Sequence, residues 1–314
     1  MNIRLILTGL AASAVLCTLP ETTRAQIFVA SVGDNTFGGG TIGEYTTSGA
    51  TVNAALVSGL NGPGGIVVSG GNLFVANTNG GLISTIGEYN ATTGATINAS
   101  LVSGLNGPSG IAVSGGNLFV TNLSTGTIGE YTTSGATVNA ALISGLSFPV
   151  GIAVSGGNLF VTNFSTGTIG EYNATTGATI NASLVSGLSF PAGVAVSGGN
   201  IFVASFASLF TGTIGEYTTS GATVNAAQVS GLDGPFGIAV SGENLFVANV
   251  DNGTIGEYTT SGATVNAALV SGLNGPRGIA VVTASVPETS SPATLLLLGV
   301  TAMFGLKLLL RKLA

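Results

Sequence analysis

"GPSGIAVSGGNLFVTNLSTGTIGEYTTSGATVNAALISGL", residues 107–146, breaks into four short runs of strand character: GIAV, NLFVTN, TIGEYT and ATVNAALI. The stretches between them, SGGN, STG and TSG, are turn chemistry, because glycine and asparagine adopt positive φ cheaply. No run shows helical periodicity, and each has the length of an ordinary strand. The unit recurs: GEY stands at Gly43, Gly87, Gly129, Gly170, Gly215 and Gly256, at spacings of 44, 42, 41, 45 and 41 residues. Four strands in each 40 to 45 residues is the arithmetic of a β-propeller blade. The alternative is a right-handed β-solenoid with two coils per repeat. The ends of the repeat region favour the propeller. QIFVAS (Gln26 to Ser31) matches the second run and opens the region, while GPRGIAVV (Gly275 to Val282) matches the first run and closes it. The spare strand at the far end completes the first blade, whereas a solenoid has no use for a fractional repeat at each end. The expected fold is therefore all-β: a six-bladed β-propeller closed by its terminal strands, flanked by an N-terminal signal helix and a C-terminal hydrophobic helix. Closure also leaves no interior sheet edge exposed.

The pattern GPxGIAV…GNLFVTN…GTIGEY resembles the NHL-type repeats of six-bladed propellers over residues 26–282. It departs from them in being nearly stripped of charge. Copies alternate between YTTSGATVNAA and YNATTGATINAS, which points to duplication of a two-blade unit. Propeller enzymes with similar repeats, lactonase-like hydrolases and streptogramin lyases, depend on histidine or on a Glu/Asn/Asp metal constellation near the axis. This chain has no histidine, and no acidic cluster interrupts an inner strand. The resemblance thus implies a non-catalytic protein without a cofactor.

Charge narrows the partners. Between residues 26 and 285, Arg277 is the single basic residue, against Asp34, Asp233, Asp251 and seven glutamates, leaving a net charge near −9. Phosphate backbones need clustered lysine and arginine, so nucleic acid is a poor partner. The glutamates Glu44, Glu88, Glu130, Glu171, Glu216 and Glu257 recur in register. On third strands they lie two strand spacings, about 10 Å, outside the innermost strand. That is too dispersed to share one calcium ion, which takes oxygens at about 2.3–2.6 Å. They are expected to accept local hydrogen bonds from threonines. The tyrosines that follow, Tyr45, Tyr89, Tyr131, Tyr172, Tyr217 and Tyr258, project to the opposite face and, with the LFV phenylalanines, are expected to pack blade on blade.

The copies differ most around Pro-x-Gly (NGPGG, NGPSG, SFPVG, SFPAG, DGPFG, NGPRG) and between the second and third strands (SVGDNTFGGG, ANTNGGLIS, TNLSTG, TNFSTG, ASFASLFTG, ANVDNG). Because consecutive strands alternate direction, both loop sets emerge on one face, and loops on a rigid scaffold are where binding sits. VSGGN and YTTSGAT, on the other face, hardly vary. The candidate ligand-binding face therefore carries Phe148, Phe190, Phe206, Phe210, Asp233, Phe236 and Arg277. Exposed aromatics beside asparagines suit sugar-ring stacking or a protein partner. The bland alternative is drift on an unused surface.

The ends of the chain read as addresses. Arg4, an apolar run from Leu5 to Leu16, and Thr23 and Ala25 before Gln26 form an export signal over residues 1–25. AVLC (Ala14 to Cys17) lacks the small residue of a lipobox, and LPETT (Leu19 to Thr23) stands at the wrong end for sortase. Cys17, the single cysteine, leaves with the signal, so the mature chain has no disulfide. Residues 26–283 form the propeller and 284–292 a linker. Residues 293–314 form an apolar helix and basic tip, with 293–310 marginal for a membrane span. Val286, Pro287 and Glu288 followed by the helix and basic end resemble a PEP-CTERM tail, also labelled an ice-binding-protein C-terminus, although Thr289 replaces the second proline and "LLLRK" replaces an arginine run. The resemblance implies a cell-envelope protein processed by an exosortase-like enzyme, with an exopolysaccharide or another envelope protein as partner. A plain membrane anchor and an LPxTG-type signal are the alternatives. The threonines recur around a ring and form no flat ladder of the kind ice recognition needs. Asn90, Asn122 and Asn163 begin Asn-x-Ser/Thr acceptor sequences, which this composition produces by chance.

Overall fold

The computed structural model describes residues 25–33, 38–78, 84–206 and 211–282. Residues 1–24 of the export signal, the 284–292 linker, the 293–314 segment, the sorting residues Val286, Pro287, Glu288 and Thr289, and Phe210 lie outside the described residues.

The described chain forms six four-stranded antiparallel sheets. Blades 2 to 6 each run inner to outer in chain order; in blade 3 the strands are Pro108–Ser114, Asn117–Asn122, Thr127–Thr132 and Thr137–Ile143. Blade 1 takes its inner strand, Pro276–Val282, from the end of the repeat region and pairs it with Gln26–Ser31, Ile27 opposite Val281 and Val29 opposite Ile279. The inner strands neighbour one another around a closed ring, in which the closing strand lies beside Pro63–Ser69 of blade 2. This is the six-bladed propeller with terminal-strand closure that the repeat arithmetic predicts.

Two glycines of the repeat are dictated by close approach. At the third position of each inner strand, a Cβ on Gly65, Gly110, Gly151, Gly193, Gly237 or Gly278 would sit 2.1–2.5 Å from a backbone carbonyl oxygen of the next blade. Pro-x-Gly thus marks where six strands converge on the axis. In GEY, the tyrosine ring folds back over the glycine two residues earlier on the same face: a Cβ on Gly129 would lie 2.6 Å from the Tyr131 hydroxyl.

Each blade buries both faces, which is why LFV is a continuous apolar run. Phe74, Ala76 and Ile86 of blade 2 pack on Ile111, Leu118, Val120 and Tyr131 of blade 3. Leu73, Val75 and Tyr89, on the opposite pleat, pack back on Phe28, Ala30 and Ile42 of blade 1. Six such layers circle the axis. Each buried phenylalanine contributes about 1.5–3 kcal/mol relative to exposure. Burial pushes the hydroxyls of all six repeat tyrosines above the usual tyrosine range. Buried hydroxyls add polar ties: Thr162 donates to the Ala192 carbonyl of blade 5 at 2.6 Å and accepts from the Gly151 amide at 2.7 Å.

The glutamates correct one expectation. Their partners are not threonines but amides at the start of the second strand. Asn72, Asn117, Asn158, Asn200 and Asn244 donate to Glu88, Glu130, Glu171, Glu216 and Glu257 at 2.7 Å, and Gln26 donates to Glu44. The amide sits two residues from the one directly opposite the glutamate (Phe74 opposite Glu88), so the two side chains share a face as diagonal neighbours. They are local structural pairs.

The outer strands are bulged. Ile42 faces Val57 while Glu44 faces Asn53, so two residues of the third strand oppose four of the outer one. The Asn53 side chain fills the bulge by accepting from the Ala55 amide at 3.1 Å, and Asn98, Asn139, Asn181, Asn225 and Asn266 do the same in the other blades. Bulging and capping blunt six edge strands that carry no charge or proline.

Candidate ligand-binding face

The residue before each inner-strand proline must adopt positive φ, with values of 55°, 64°, 64° and 61° at Gly62, Gly107, Gly234 and Gly275. Blades 4 and 5 put phenylalanine there: Phe148 at 53° and Phe190 at 46°, the two non-glycine residues with positive φ among those described. A side chain in this region costs about 1–2 kcal/mol. Backbone bonds hold the geometry in place, since the Phe164 amide donates to the Phe148 carbonyl at 3.0 Å and the Phe206 amide to the Phe190 carbonyl at 3.4 Å. The strain does not buy burial, for Phe148 is 51% exposed and Phe190 52%.

Phe190 belongs to a connected arc. Its ring centroid lies 5.2 Å from that of Phe164, Phe164 lies 6.4 Å from Phe206, and Phe206 lies 6.4 Å from Phe236. The last two pairs are edge-to-face, the favourable geometry for rings of opposite edge and face charge. The Arg277 guanidinium stands 5.7 Å over the Phe236 ring, within cation–π range. The arc thus crosses blades 4, 5 and 6 and ends on the closing strand of blade 1.

Of the residues predicted from sequence, Phe190, Phe206, Phe236 and Arg277 come together. Phe148 stands on the same face without a ring partner among the described residues. Asp233, in the link that leads to Phe236, accepts from the Asn252 amide at 2.8 Å. Phe206 and Phe236 are half-buried, while Phe148, Phe190, Asp233 and Arg277 are exposed, although desolvation still lowers the Arg277 pKa. Phe164, the hub that touches both Phe190 and Phe206, was not singled out from the sequence. The signal was available in TNFSTG, where phenylalanine stands in place of Leu123 in the copy before it.

At this end the axial channel narrows to about 80 Å³, walled by the inner-strand Gly-Ile and Gly-Val pairs with Ser109, Val150, Phe236 and Arg277. Ligand cavities of small metabolites run to roughly 300–1,000 Å³, so the mouth is too tight to hold one. The opposite end opens to about 590 Å³ between aliphatic side chains such as Val68, Val113, Val154 and Val282. No carboxylate lines either end among the described residues.

No family model and no curated protein matches the sequence. Solved structures do share the architecture. A chain from a nidogen–laminin complex is 17% identical with a TM-score of 0.66, over 83% of this chain and 99% of that one. A Bacteroides uniformis protein provisionally named a 6-phosphogluconolactonase is 15% identical with a TM-score of 0.60, over 82% and 99%. At such identities the likeness shows the β-propeller fold.

Proposed function

We propose that the chain is an exported, non-catalytic propeller of the cell envelope or extracellular matrix, which holds polysaccharide against the face bearing Phe148, Phe164, Phe190, Phe206, Phe236 and Arg277. One observation carries the reading. Two blades place phenylalanine where four use glycine, in a conformation disfavoured for a side chain, and leave half of each ring in water. Strain kept in an exposed link points to function. The aliphatic channel supports a binding role over a catalytic one. Delivery to the envelope rests on the sequence alone: the export signal, then Val286 to Thr289 as the site for an exosortase-like enzyme, with residues 293–310 in the membrane until processing.

Two measurements test this. Purified mature protein is passed over the host's envelope polysaccharide, and Phe148→Gly with Phe190→Gly is expected to lose retention. Unchanged retention contradicts the binding face. The mass of the mature protein from its host is expected to end near Pro287 to Thr289; a chain running to Ala314 makes the tail a plain anchor.

A protein partner on the same face is the second reading, favoured by the structural neighbour that comes from a nidogen–laminin complex. Retention on a purified envelope protein and not on polysaccharide would favour it.

A further inference from the structure

The arc ends in a cation with no assigned counter-ion. Arg277 is the only basic residue between positions 26 and 285, in a body with ten acidic residues, yet it makes no ion pair among the described residues. Asp233, the acidic residue of the predicted face, is engaged by Asn252 instead. The matching inner-strand position in blades 2 to 6 holds Gly64, Ser109, Val150, Ala192 and Phe236, so no repeat constraint asks for arginine there. Its side chain is exposed by surface area, although local desolvation lowers its pKa. The guanidinium carbon stands 5.7 Å from the Phe236 ring centroid, and no acidic side chain among the described residues pairs with its donor fork. That fork matches a carboxylate through two parallel hydrogen bonds.

Resting on the binding face proposed above, we infer that its polysaccharide is acidic: one uronic-acid carboxylate sits on Arg277 while neighbouring sugar rings lie along Phe236, Phe206, Phe164 and Phe190. The rings of the arc are tilted to one another by 38°, 70° and 71°, so each offers its own contact to a separate sugar ring. The cavity that Phe236 and Arg277 line, the 80 Å³ channel mouth, is too small to take the buried anchor side chain that a protein hot spot supplies. Nucleic acid would also stack, but one cation cannot neutralise a run of phosphates. A densely charged polyuronate would meet the exposed Asp233 and Asp251. The ligand therefore carries its carboxylates spaced by neutral sugars.

The test uses three polymers: a heteropolysaccharide in which glucuronic acid is spaced by neutral hexoses, the same polymer with its carboxyl groups reduced to alcohols, and a homopolyuronate. Wild-type protein is expected to bind the first about 10-fold or more tightly than the second, the factor set by a charge-assisted hydrogen bond, and more tightly than the third. Arg277→Gln is expected to abolish the difference between the first two, and Arg277→Lys to restore part of it; unchanged thermal unfolding shows that both variants fold. If Arg277→Gln leaves that ratio unchanged while Phe164→Ala weakens both polymers, the stacking face stands and the acidic-ligand inference falls. If neither substitution affects any polymer, the binding face itself is wrong. Retention of an Asp-rich peptide in place of the polysaccharides also overturns the inference.

Discussion

Phe164 and Phe190 lie with ring centroids 5.2 Å apart and planes tilted by 38°, although one sits in the second-to-third loop of blade 4 and the other in the link leaving that blade for blade 5. The contact ties two variable loops into one surface. A double-mutant cycle between Phe164→Ala and Phe190→Ala is expected to give a coupling of about 0.5–1.5 kcal/mol in unfolding free energy.

The backbone at Phe148 makes a second, sharper expectation. Alanine keeps the penalty of a side chain at φ 53°, whereas glycine removes it. Phe148→Gly is therefore expected to be more stable than Phe148→Ala by about 1 kcal/mol, reversing their order in an ordinary loop or helix. Denaturant midpoints at equal m-values decide it. Equal stability would mean the strain is not present in solution.

The axis is unforgiving by comparison. Gly110→Ala sets a methyl group 2.4 Å from the Val150 carbonyl oxygen of the next blade, and the inner strand cannot retreat without opening the ring. A loss of about 3 kcal/mol is expected, at the upper end of overpacking effects. Thr162→Val, similar in shape, is expected to cost about 1–3 kcal/mol, because the Gly151 amide loses its partner in a buried layer.

Stability should also depend on pH through the paired carboxylates. Burial raises the Glu44 and Glu257 carboxyls above the ordinary 4.5, against the lowering effect of the Gln26 and Asn244 hydrogen bonds. A raised folded pKa means that the native state holds protons which the unfolded state has released. These groups then cost nothing below pH 4.5, and they destabilise progressively as pH rises from there through the folded value. Glu44→Gln combined with Glu257→Gln keeps a neutral acceptor for each amide. It is expected to be more stable than wild type at pH 7 and to lose that advantage below pH 4.5. An advantage that grows on acidification would show the sign to be wrong.

The blades were legible because their causes are periodic. Four strand runs, turn residues between them and a displaced copy of GIAV at Gly278 to Val281 suffice to specify six sheets and their closure. Side-chain partners were less legible. Alternation tells which face of a strand Glu88 occupies, but not that Asn72, diagonal on the neighbouring strand, reaches it before any threonine does. ATVNAALI reads as a plain strand, and its bulge depends on Asn139 accepting from the Ala141 amide, a contact with no hydrophobic signature. Phe164 was overlooked because its partner lies 26 positions on, outside its own repeat copy, and only the folding of blade 4 with its link to blade 5 brings them together. The positive φ at Phe148 and Phe190 was latent in the alignment of SFP with NGP, since a glycine position fixed by geometry keeps that geometry when its residue changes.

The central claim is that the variable face is where this propeller binds, and hydrogen exchange with and without the host's polysaccharide tests it directly. Protection is predicted in the links that hold Phe148, Phe164, Phe190, Phe206 and Phe236, with the TTSG and SGGN turns unchanged. Protection confined to those turns, or none at either end of the disc, would contradict it.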